Sequence, residues 1–286
     1  MLSTITARFT AATLAASCAW LAGCAPMPCA APAVVRTAST AAARTAPLSM
    51  LWVGNSFFYY NNSMHGPVGL LLRASSEGSR AFRQVSATIS GSGLNWHDME
   101  AHFKPGGMAS YSFNANNEVV FNTGERALPK LFEAVLMMDC SQCPMHPQLA
   151  PLFEQSIARN AAIVRRHGAE PMLFMSWAYQ DAPQMTAALA DAYLKTGSAH
   201  SMRVVPAGLA FARSIAKRPD LNLYVADKRH PSLAGTYLAA ATVMASVYRL
   251  NPVGNSYTAG LPADVAAHLQ AVAAETVRDF DAGARR

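Results

Sequence analysis

Short apolar runs alternate with longer segments of helical period along most of this 286-residue chain. Such alternation is typical of a parallel sheet whose connecting helices cover both of its faces. The predicted strands are residues 50–53, 84–89, 134–138, 171–175 and 221–225. The predicted helices are residues 64–75, 149–166, 183–195, 206–216, 232–250 and 262–280. The pattern therefore predicts an α/β fold, a single-domain three-layer α/β/α sandwich with a central parallel sheet.

Length and composition bound the number of domains and the class of partner. With 286 residues, of which 51% are hydrophobic, the chain is long enough for one sizeable core and too short for two large domains. Charged residues make up 14%, the net charge is +6, and no run of Lys and Arg exceeds two residues. We therefore expect a single globular domain that has no nucleic-acid partner.

The N-terminal segment reads as a secretory signal. Residues 1–23 carry a lone Arg8, then an apolar stretch, then small residues before Cys24. Leu21-Ala22-Gly23-Cys24 resembles the bacterial lipobox, in which the cysteine receives lipid; cleavage by an ordinary signal peptidase is the alternative. The lipobox reading predicts a periplasmic protein whose only membrane contact is a lipid anchor at Cys24. By the same resemblance to bacterial lipoproteins, Ala25 in the second mature position favours the outer membrane over the inner one.

A low-complexity stretch separates this signal from the folded part. Residues 24–47 are mostly Ala, Pro, Thr and Arg, and they cannot bury enough apolar surface to offset the entropy of ordering them. They are predicted to be a disordered tether. The folded domain is then residues 48–286.

One strand ends in a turn that presents a hydroxyl. Gly54, Asn55 and Ser56 follow the apolar run at residues 50–53 and precede a predicted helix, so Ser56 is expected at the carboxyl end of a strand. Open α/β sheets bind their ligands at that edge. Taken alone, the triplet favours an ordinary turn.

A second stretch supplies the partners that a nucleophilic serine needs. Asp227 and His230 lie three residues apart, and His230-Pro231-Ser232 leads into an apolar helical segment. Serine, histidine and aspartate form an acyl-transfer triad when they are adjacent in space.

The two stretches together resemble the SGNH (GDSL-type) hydrolases. Gly54-Asn55-Ser56 stands where that family carries Gly-Asp-Ser, and Asp227 to His230 matches its Asp-x-x-His block. Asn55 departs from the pattern, which is tolerable if this residue shapes the turn and does no chemistry. The resemblance spans residues 48–250 and implies a flavodoxin-like sheet, with Ser56 as nucleophile, His230 as base and Asp227 as its orienting partner.

The resemblance also implies an oxyanion hole. The backbone N–H of Ser56 is one expected donor, and Gly91 in Ser90-Gly91-Ser92-Gly93 matches the family's second block, with Gly93 as the alternative. The third block, Gly-x-Asn-Asp, has no asparagine here. Gln142 carries the same carboxamide on a longer arm and is the predicted third donor, although a role in capping the turn is an equal alternative.

Five cysteines are present, and two lie in the folded part. In an oxidising compartment Cys140 and Cys143 are most simply a local disulfide, with a redox-active pair or half of a metal site as alternatives. A tetrahedral site would need two further ligands, and the sequence has no second Cys pair. No metal is therefore expected.

Several other residues have structural interpretations. Surface or helix-end positions are expected for the seven histidines other than His230, and His97, next to Asp98, is the one rival to the triad. Trp177 is expected in the core or a pocket wall. The aromatic residues 57–60 are expected to divide between the core and an acyl pocket. Residues 104–127 are predicted to be an accessory hairpin or a substrate-binding loop.

These features predict a serine-dependent ester hydrolase that needs no cofactor. The substrate expected from the resemblance is a carbohydrate acetyl ester, or a lipid or short-chain acyl ester. An acyltransferase with the same triad and a non-catalytic glycan-binding lipoprotein are the alternatives. The intact set of Ser56, Asp227 and His230 disfavours a pure binding protein.

Overall fold

A computed structural model describes residues 46–104, 107, 110–113, 116, 119–122 and 130–283. The strands are β1 Ser49–Gly54, β2 Arg83–Thr88, β3 Ser110–Phe113, β4 Val119–Asn122, β5 Ala134–Met137, β6 Glu170–Phe174 and β7 Arg203–Val205. The α-helices are α1 Ser56–Tyr59, α2 His65–Arg73, α3 Ala150–Arg166, α4 Met185–Ala199, α5 Ala207–Lys217, α6 Leu233–Val247 and α7 Ala263–Gly283. The predicted signal segment, Cys24 and nearly all of the predicted tether lie outside the described residues.

The central sheet has five parallel strands in the order β2-β1-β5-β6-β7. When the separate β3–β4 hairpin is left aside, this is the 2-1-3-4-5 order of flavodoxin-like sheets. In that order the chain first builds outward from β1 to β2 and then reverses to the other side of β1. The carboxyl end of β1 lies at that switch point, and it is the place where such folds bind ligands.

Alternation along β1 divides the core into two layers. Met50 and Trp52 face one side of the sheet, where α2, α5, α6 and α7 pack. Leu51 and Val53 face the other side, where α3 and α4 pack. Successive side chains of a strand point to opposite faces, so a run buried throughout requires helices on both. The predicted three-layer α/β/α architecture is confirmed.

The predicted fifth strand is wrong. Residues 221–225 form no strand, and Tyr224 makes only an isolated bridge to Pro231. The sheet is completed instead by β7, which pairs parallel with β6. This strand has three residues and is followed at once by Pro206, so it is too short to show a period in the sequence.

The other predicted elements agree with the structure to within a few residues. The largest difference is in α4, which continues to Ala199 and not to residue 195. Within residues 104–127, strand β4 pairs antiparallel with β3. Of the two interpretations of residues 104–127, the described residues therefore support the accessory hairpin.

Helix α6 is the centre of one layer. Its residues from Ala234 to Val247 are all buried, and α2, α5 and α7 pack around it. Ser232 caps its first turn by accepting a hydrogen bond from the N–H of Gly235 at 3.3 Å. Despite this apolar character, no helix among the described residues has both the length and the hydropathy needed to cross a bilayer.

A glycine fixes how closely α5 approaches the end of β6. The N–H of Gly208 donates to the carbonyl of Met175 at 3.0 Å, and a Cβ on Gly208 would lie 2.2 Å from the carbonyl oxygen of Ser176. We predict that Gly208→Ala lowers the free energy of unfolding by about 1–3 kcal/mol, because backbone must move to admit the methyl group. Urea unfolding followed by circular dichroism measures the change.

Gly66→Ala is the matched control for this prediction. Gly66 lies in α2, and a Cβ there would meet nothing within 4 Å. The control should be neutral or stabilising by up to about 1 kcal/mol, because alanine favours the helix. Equal stability of the Gly208→Ala variant and the wild type would contradict the close approach.

Candidate active site

The Ser56 turn lies at the carboxyl end of β1. Asn55 caps the short helix α1 by accepting a hydrogen bond from the N–H of Phe57 at 3.1 Å, so Ser56 becomes the first helical residue. Gly54 is needed before it, because a Cβ there would lie 2.9 Å from the ring of Phe58. The serine is 8% exposed. The turn thus presents one hydroxyl at the edge where the fold binds ligands.

Asn55 joins the ends of three neighbouring strands. Its Nδ2 donates to the carbonyl of Ser92, after β2, at 2.9 Å and to the carbonyl of Asp139, after β5, at 3.2 Å. The carboxamide thus uses one acceptor and two donors while it is 4% exposed. An ionised aspartate would supply only the acceptor. The departure from the Gly-Asp-Ser pattern therefore has a structural role at this position.

Asp227 and His230 lie on the loop that precedes α6. The Oδ2 of Asp227 is 2.5 Å from Nδ1 of His230, and its Oδ1 accepts from the backbone N–H of Arg229 and of His230 at 2.9 Å each. Burial alone would raise the pKa of Asp227, but these hydrogen bonds outweigh it and lower the pKa to about 2. The carboxyl is therefore ionised at neutral pH and can only accept hydrogen bonds.

The imidazole connects this carboxylate to the serine. Nε2 of His230 lies 2.7 Å from Oγ of Ser56, which is 174 residues away in sequence. Because Asp227 accepts at Nδ1, the neutral imidazole carries its proton there, and Nε2 is left to accept from the serine hydroxyl. The structure thus brings Ser56, His230 and Asp227 into one hydrogen-bonded chain. Their catalytic role stays a prediction.

Gly91 lies beside the same turn. The neighbouring residues Ile89 and Ser92 are tied to β1: Ile89 N–H donates to the carbonyl of Gly54 at 3.1 Å, and Ser92 Oγ donates to the same carbonyl at 3.1 Å. Gly91 has φ of 70°, a left-handed conformation that favours glycine. A Cβ at this position would meet nothing within 4 Å, so steric crowding is not the reason for the glycine. Within the described part of the chain, the N–H groups of Gly91 and Ser56 have no acceptor.

The turn after β5 carries the predicted third donor. Cys140 and Cys143 form a disulfide that closes this turn. Gln142 between them is exposed, and its carboxamide makes no hydrogen bond to any described residue. Its neighbour Ser141 is bonded to the hydroxyl of Tyr179 at 2.6 Å. The side chain of Gln142 therefore does not cap the turn, and it remains available to a ligand.

A buried polar layer lies beneath the Ser56 turn, and its position was not expected. His97, predicted at a surface or helix end, is 4% exposed. Its Nε2 lies 3.1 Å from both Ser92 Oγ and the carbonyl of Gly54, and not against Asp98, which caps the N–H of Ala101. Burial, together with His102, lowers the pKa of His97 to about 4. The neutral imidazole of His97 thus bonds the carbonyl of Gly54 and stabilises the Ser56 turn.

Asp139 is the second buried group of this layer. Its Oδ1 accepts from the N–H of Cys140 at 2.6 Å and of Leu94 at 3.3 Å, and burial raises its pKa to about 6 although these hydrogen bonds oppose the shift. The carboxyl and the two cysteine sulfurs lie within 4.8 Å of one another. Sulfurs joined in a disulfide are not thiolate ligands, so this group does not fit a metal ion.

Aromatic rings surround His230, and sequence reasoning did not assign them to it. The ring of Tyr60 stacks on the imidazole at 4.1 Å, and Phe57 meets it edge-on at 5.2 Å. Trp177 is fully buried, stacks on Phe57 at 4.9 Å, and donates its indole N–H to the carbonyl of Arg229 at 2.9 Å. The spacing of these aromatic residues in the sequence does not indicate that they contact His230. Only their nearness to Ser56 in the sequence places Phe57 and Tyr60 close to the site.

Fold and site together define a doubly wound α/β protein with a serine-histidine-aspartate arrangement at the carboxyl edge of its sheet. No family model matches the sequence, and no curated protein matches it. A DUF4886 family protein from Bacteroides uniformis is similar in structure, with a TM-score of 0.57 and 17% identity over 82% of this chain and 96% of that one. At this identity the likeness shows a shared fold.

Two further solved structures align with a TM-score of 0.49 each. A putative SGNH hydrolase from Slackia heliotrinireducens is 19% identical over 70% of this chain and 98% of its own. The acetylxylan esterase Axe2 from Geobacillus stearothermophilus is 15% identical over 71% of this chain and 95% of its own. The strand order itself is that of the flavodoxin-like sheet that the resemblance to SGNH hydrolases implied.

Asn55 offers a direct test of how the strand ends are held. We predict that Asn55→Asp lowers the free energy of unfolding by about 1–3 kcal/mol at neutral pH, because two buried carbonyls lose their donor and face a carboxylate. Chemical denaturation measures this. Asn251→Asp is the control: Asn251 is exposed, and among the described residues its side chain only accepts a hydrogen bond, from the N–H of Val253 at 3.1 Å, which aspartate can replace. Equal losses in both variants would contradict this role.

Asp139 predicts a pH dependence of stability. Its pKa is near 3.8 when the chain is unfolded and about 6 when folded, so between these values the folded state holds a proton that the unfolded state has lost. The stabilising contribution is complete below pH 3.8 and is lost as the pH rises through 6. The loss is on the order of 3 kcal/mol.

The variant Asp139→Asn stays neutral and should lack that loss. Urea unfolding of variant and wild type from pH 4 to pH 8 compares the two profiles. Asp191→Asn, which changes an exposed carboxyl on α4, is the control and should follow the wild type. Parallel profiles for Asp139→Asn and the wild type would show that the buried carboxyl does not titrate in this window.

Proposed function

We propose that this protein is a serine-dependent ester hydrolase of the SGNH type. The observation that carries the proposal is the hydrogen-bonded chain in which Ser56 Oγ lies 2.7 Å from His230 Nε2 and His230 Nδ1 lies 2.5 Å from Asp227. A serine hydroxyl is a weak nucleophile near neutral pH, and an adjacent base with an oriented tautomer is what activates it. Three side chains from two distant parts of the sequence meet in that arrangement.

The geometry supports the following reaction. As Ser56 Oγ attacks the ester carbonyl, Nε2 of His230 accepts the hydroxyl proton and then gives it to the departing alcohol. Asp227 stabilises the imidazolium formed in between, which its ionised state allows. A water molecule, deprotonated by the same histidine, then attacks the acyl-enzyme; the bond between the acyl group and Ser56 Oγ breaks, His230 returns the proton to Oγ, and the acid is released. No cofactor is needed for these steps.

The negative charge on the carbonyl oxygen requires hydrogen-bond donors. The N–H groups of Ser56 and Gly91 are the proposed pair, and the support for them is that neither has an acceptor in the described part of the chain. Gln142 is the proposed third donor, supported by its exposed and unbonded carboxamide. Loss of one such donor in related chemistry lowers kcat by about 100- to 1000-fold.

We further propose a substrate class and a cellular location for this protein. The substrate is a carbohydrate acetyl ester, or a lipid or short-chain acyl ester, as the family resemblance implies. The protein is exported to the periplasm and held at the outer membrane through lipid on Cys24. Residues 1–25 alone carry this part of the proposal.

Hydrolysis of a short-chain aryl ester tests the reaction. We predict that the wild type turns over 4-nitrophenyl acetate and that Ser56→Ala and His230→Ala each lower kcat/KM by at least ~1000-fold, as removal of a triad member does elsewhere. Gln142→Ala should lower kcat by about 100-fold or more with little change in KM. Stopped reactions analysed for free acetate confirm that water is the acceptor.

Two control variants remove a serine and a histidine far from the site. Ser198 is exposed on α4 and His200 ends that helix, at the amino edge of the sheet. Ser198→Ala and His200→Ala should keep wild-type rates. A wild type no faster than Ser56→Ala would refute the triad. Acyl transfer to an added sugar in place of water would assign an acyltransferase.

A further inference from the structure

Tyr60 stacks on the imidazole of His230, and it follows directly after α1, the short helix that begins at Ser56. The two rings are nearly parallel, with an interplanar angle of 8° and a centroid distance of 4.1 Å. Phe57 approaches the same imidazole edge-on, at 74° and 5.2 Å. Tyr60, which follows α1, and Phe57, the second residue of α1, thus restrict the plane of the histidine ring.

The backbone after Tyr60 adopts an uncommon conformation. Asn61, Asn62 and Ser63 have φ of 52°, 63° and 69°, three successive non-glycine residues in the left-handed region. Each such residue costs free energy, and the cost is least for asparagine, which fills two of the three positions. Strain of this kind persists where surrounding contacts require it, and it clusters at functional sites.

Asn61 shows which contacts the turn makes. Its Nδ2 donates to the carbonyl of Pro231 at 2.9 Å and to Oγ1 of Thr236 at 2.8 Å. Pro231 follows His230 directly, and Thr236 is a fully buried residue of α6. The left-handed turn therefore holds the histidine segment at its main chain, while Tyr60 holds its ring.

The histidine needs such support because its loop is exposed. The side chains of Asp227 and His230 are 41% and 21% exposed, and Asp227 fixes the ring only at Nδ1. A general base must stay within hydrogen-bond reach of its nucleophile, and small displacements lower the rate steeply. We propose that Tyr60 and Asn61 form a clamp that positions His230 against Ser56. The catalytic consequence of the clamp rests on the proposed function, whereas the clamp itself does not.

The stack, and not the tyrosine hydroxyl, is the active part of the clamp. Among the described residues, the hydroxyl of Tyr60 has no hydrogen-bond partner, so phenylalanine preserves every contact that positions the imidazole. An aromatic face also favours the imidazolium that forms during the reaction. Tyr60 is thus a positioning residue, and its effect should appear in kcat and not in KM.

The test uses the full chain and four variants. Tyr60→Leu removes the stack, Tyr60→Phe keeps it, Asn61→Gly removes both side-chain hydrogen bonds while it tolerates the left-handed backbone, and Phe82→Leu is the control. Phe82 lies just before β2, at the amino edge of the sheet, and its ring contacts Tyr248 and Arg80. Tyr60→Leu should lower kcat roughly 10- to 100-fold with KM within about twofold, and Tyr60→Phe and Phe82→Leu should stay within about twofold of wild type.

Asn61→Gly is the second route to the same conclusion, because it leaves the aromatic core untouched. It should lower kcat in the same direction as Tyr60→Leu, at unchanged KM. The rate of Ser56 labelling by a fluorophosphonate should fall in parallel with kcat in both variants. A rise in KM alone would make Tyr60 a substrate contact, and equal damage from Tyr60→Phe and Tyr60→Leu would assign the effect to the hydroxyl. Either result overturns the clamp.

A readout that needs no activity separates this proposal from the hydrolase proposal. The Nδ1 proton of His230, held by Asp227, should give a low-field proton NMR signal that His230→Ala removes. Tyr60→Leu should broaden or abolish that signal, because the ring is no longer held, and Tyr60→Phe should retain it. If the wild type shows no esterase activity but Tyr60→Leu and Asn61→Gly still broaden or abolish the signal, the proposed function fails while the clamp stands. An unchanged signal in both Tyr60→Leu and Asn61→Gly refutes the clamp.

Discussion

The carboxamide of Asn55 is the interaction on which the site depends. Parallel strands leave their carboxyl ends as separate chain segments, and each must diverge to reach its crossover helix. One buried side chain bonds the segments after β2 and β5 and at the same time caps the helix that begins at Ser56. The position of the nucleophile is therefore set by a group that takes no part in the proposed chemistry.

In the polar layer beneath the Ser56 turn, buried titratable side chains also bond the chain segments that follow the strands. His97 and Ser92 both bond the carbonyl of Gly54, and Asp139 joins the segment at Leu94 to the Cys140 turn. Burial favours the neutral form of each: it lowers the pKa of His97 to about 4 and raises that of Asp139 to about 6. The loop of His230, in contrast, carries its ionised carboxylate where solvent reaches it. Charge is thus placed at the rim of the site.

The features that could be predicted from the sequence are local ones, namely hydrophobic periodicity and the close spacing of reactive side chains. Runs such as residues 50–53, apolar throughout, had to be strands covered on both faces, and Asp227 and His230 had to share a loop because they are three residues apart. Sequence reasoning failed where the deciding contact is distant. Residues 221–225 are as apolar as a strand, yet β7 takes the edge beside β6, and no local pattern distinguishes a three-residue strand from a loop. His97 likewise shows its burial only once β1 and the loop after β2 meet.

The rings around His230 could not be predicted for the same reason, since they meet it only in the folded chain. They lie next to turns whose backbone conformation is strained. Left-handed residues occur on both sides of the reacting pair: Asn61 to Ser63 after the nucleophile helix, and Lys228, with φ of 64°, between Asp227 and His230. Each conformation is unfavourable alone, and the Asn61 turn is held by the hydrogen bonds of its side chain to Pro231 and Thr236. A site built on loops is less precise than one built on strands. Here the backbone free energy stored in two turns is offset by the contacts that hold one imidazole between Asp227, Phe57 and Tyr60.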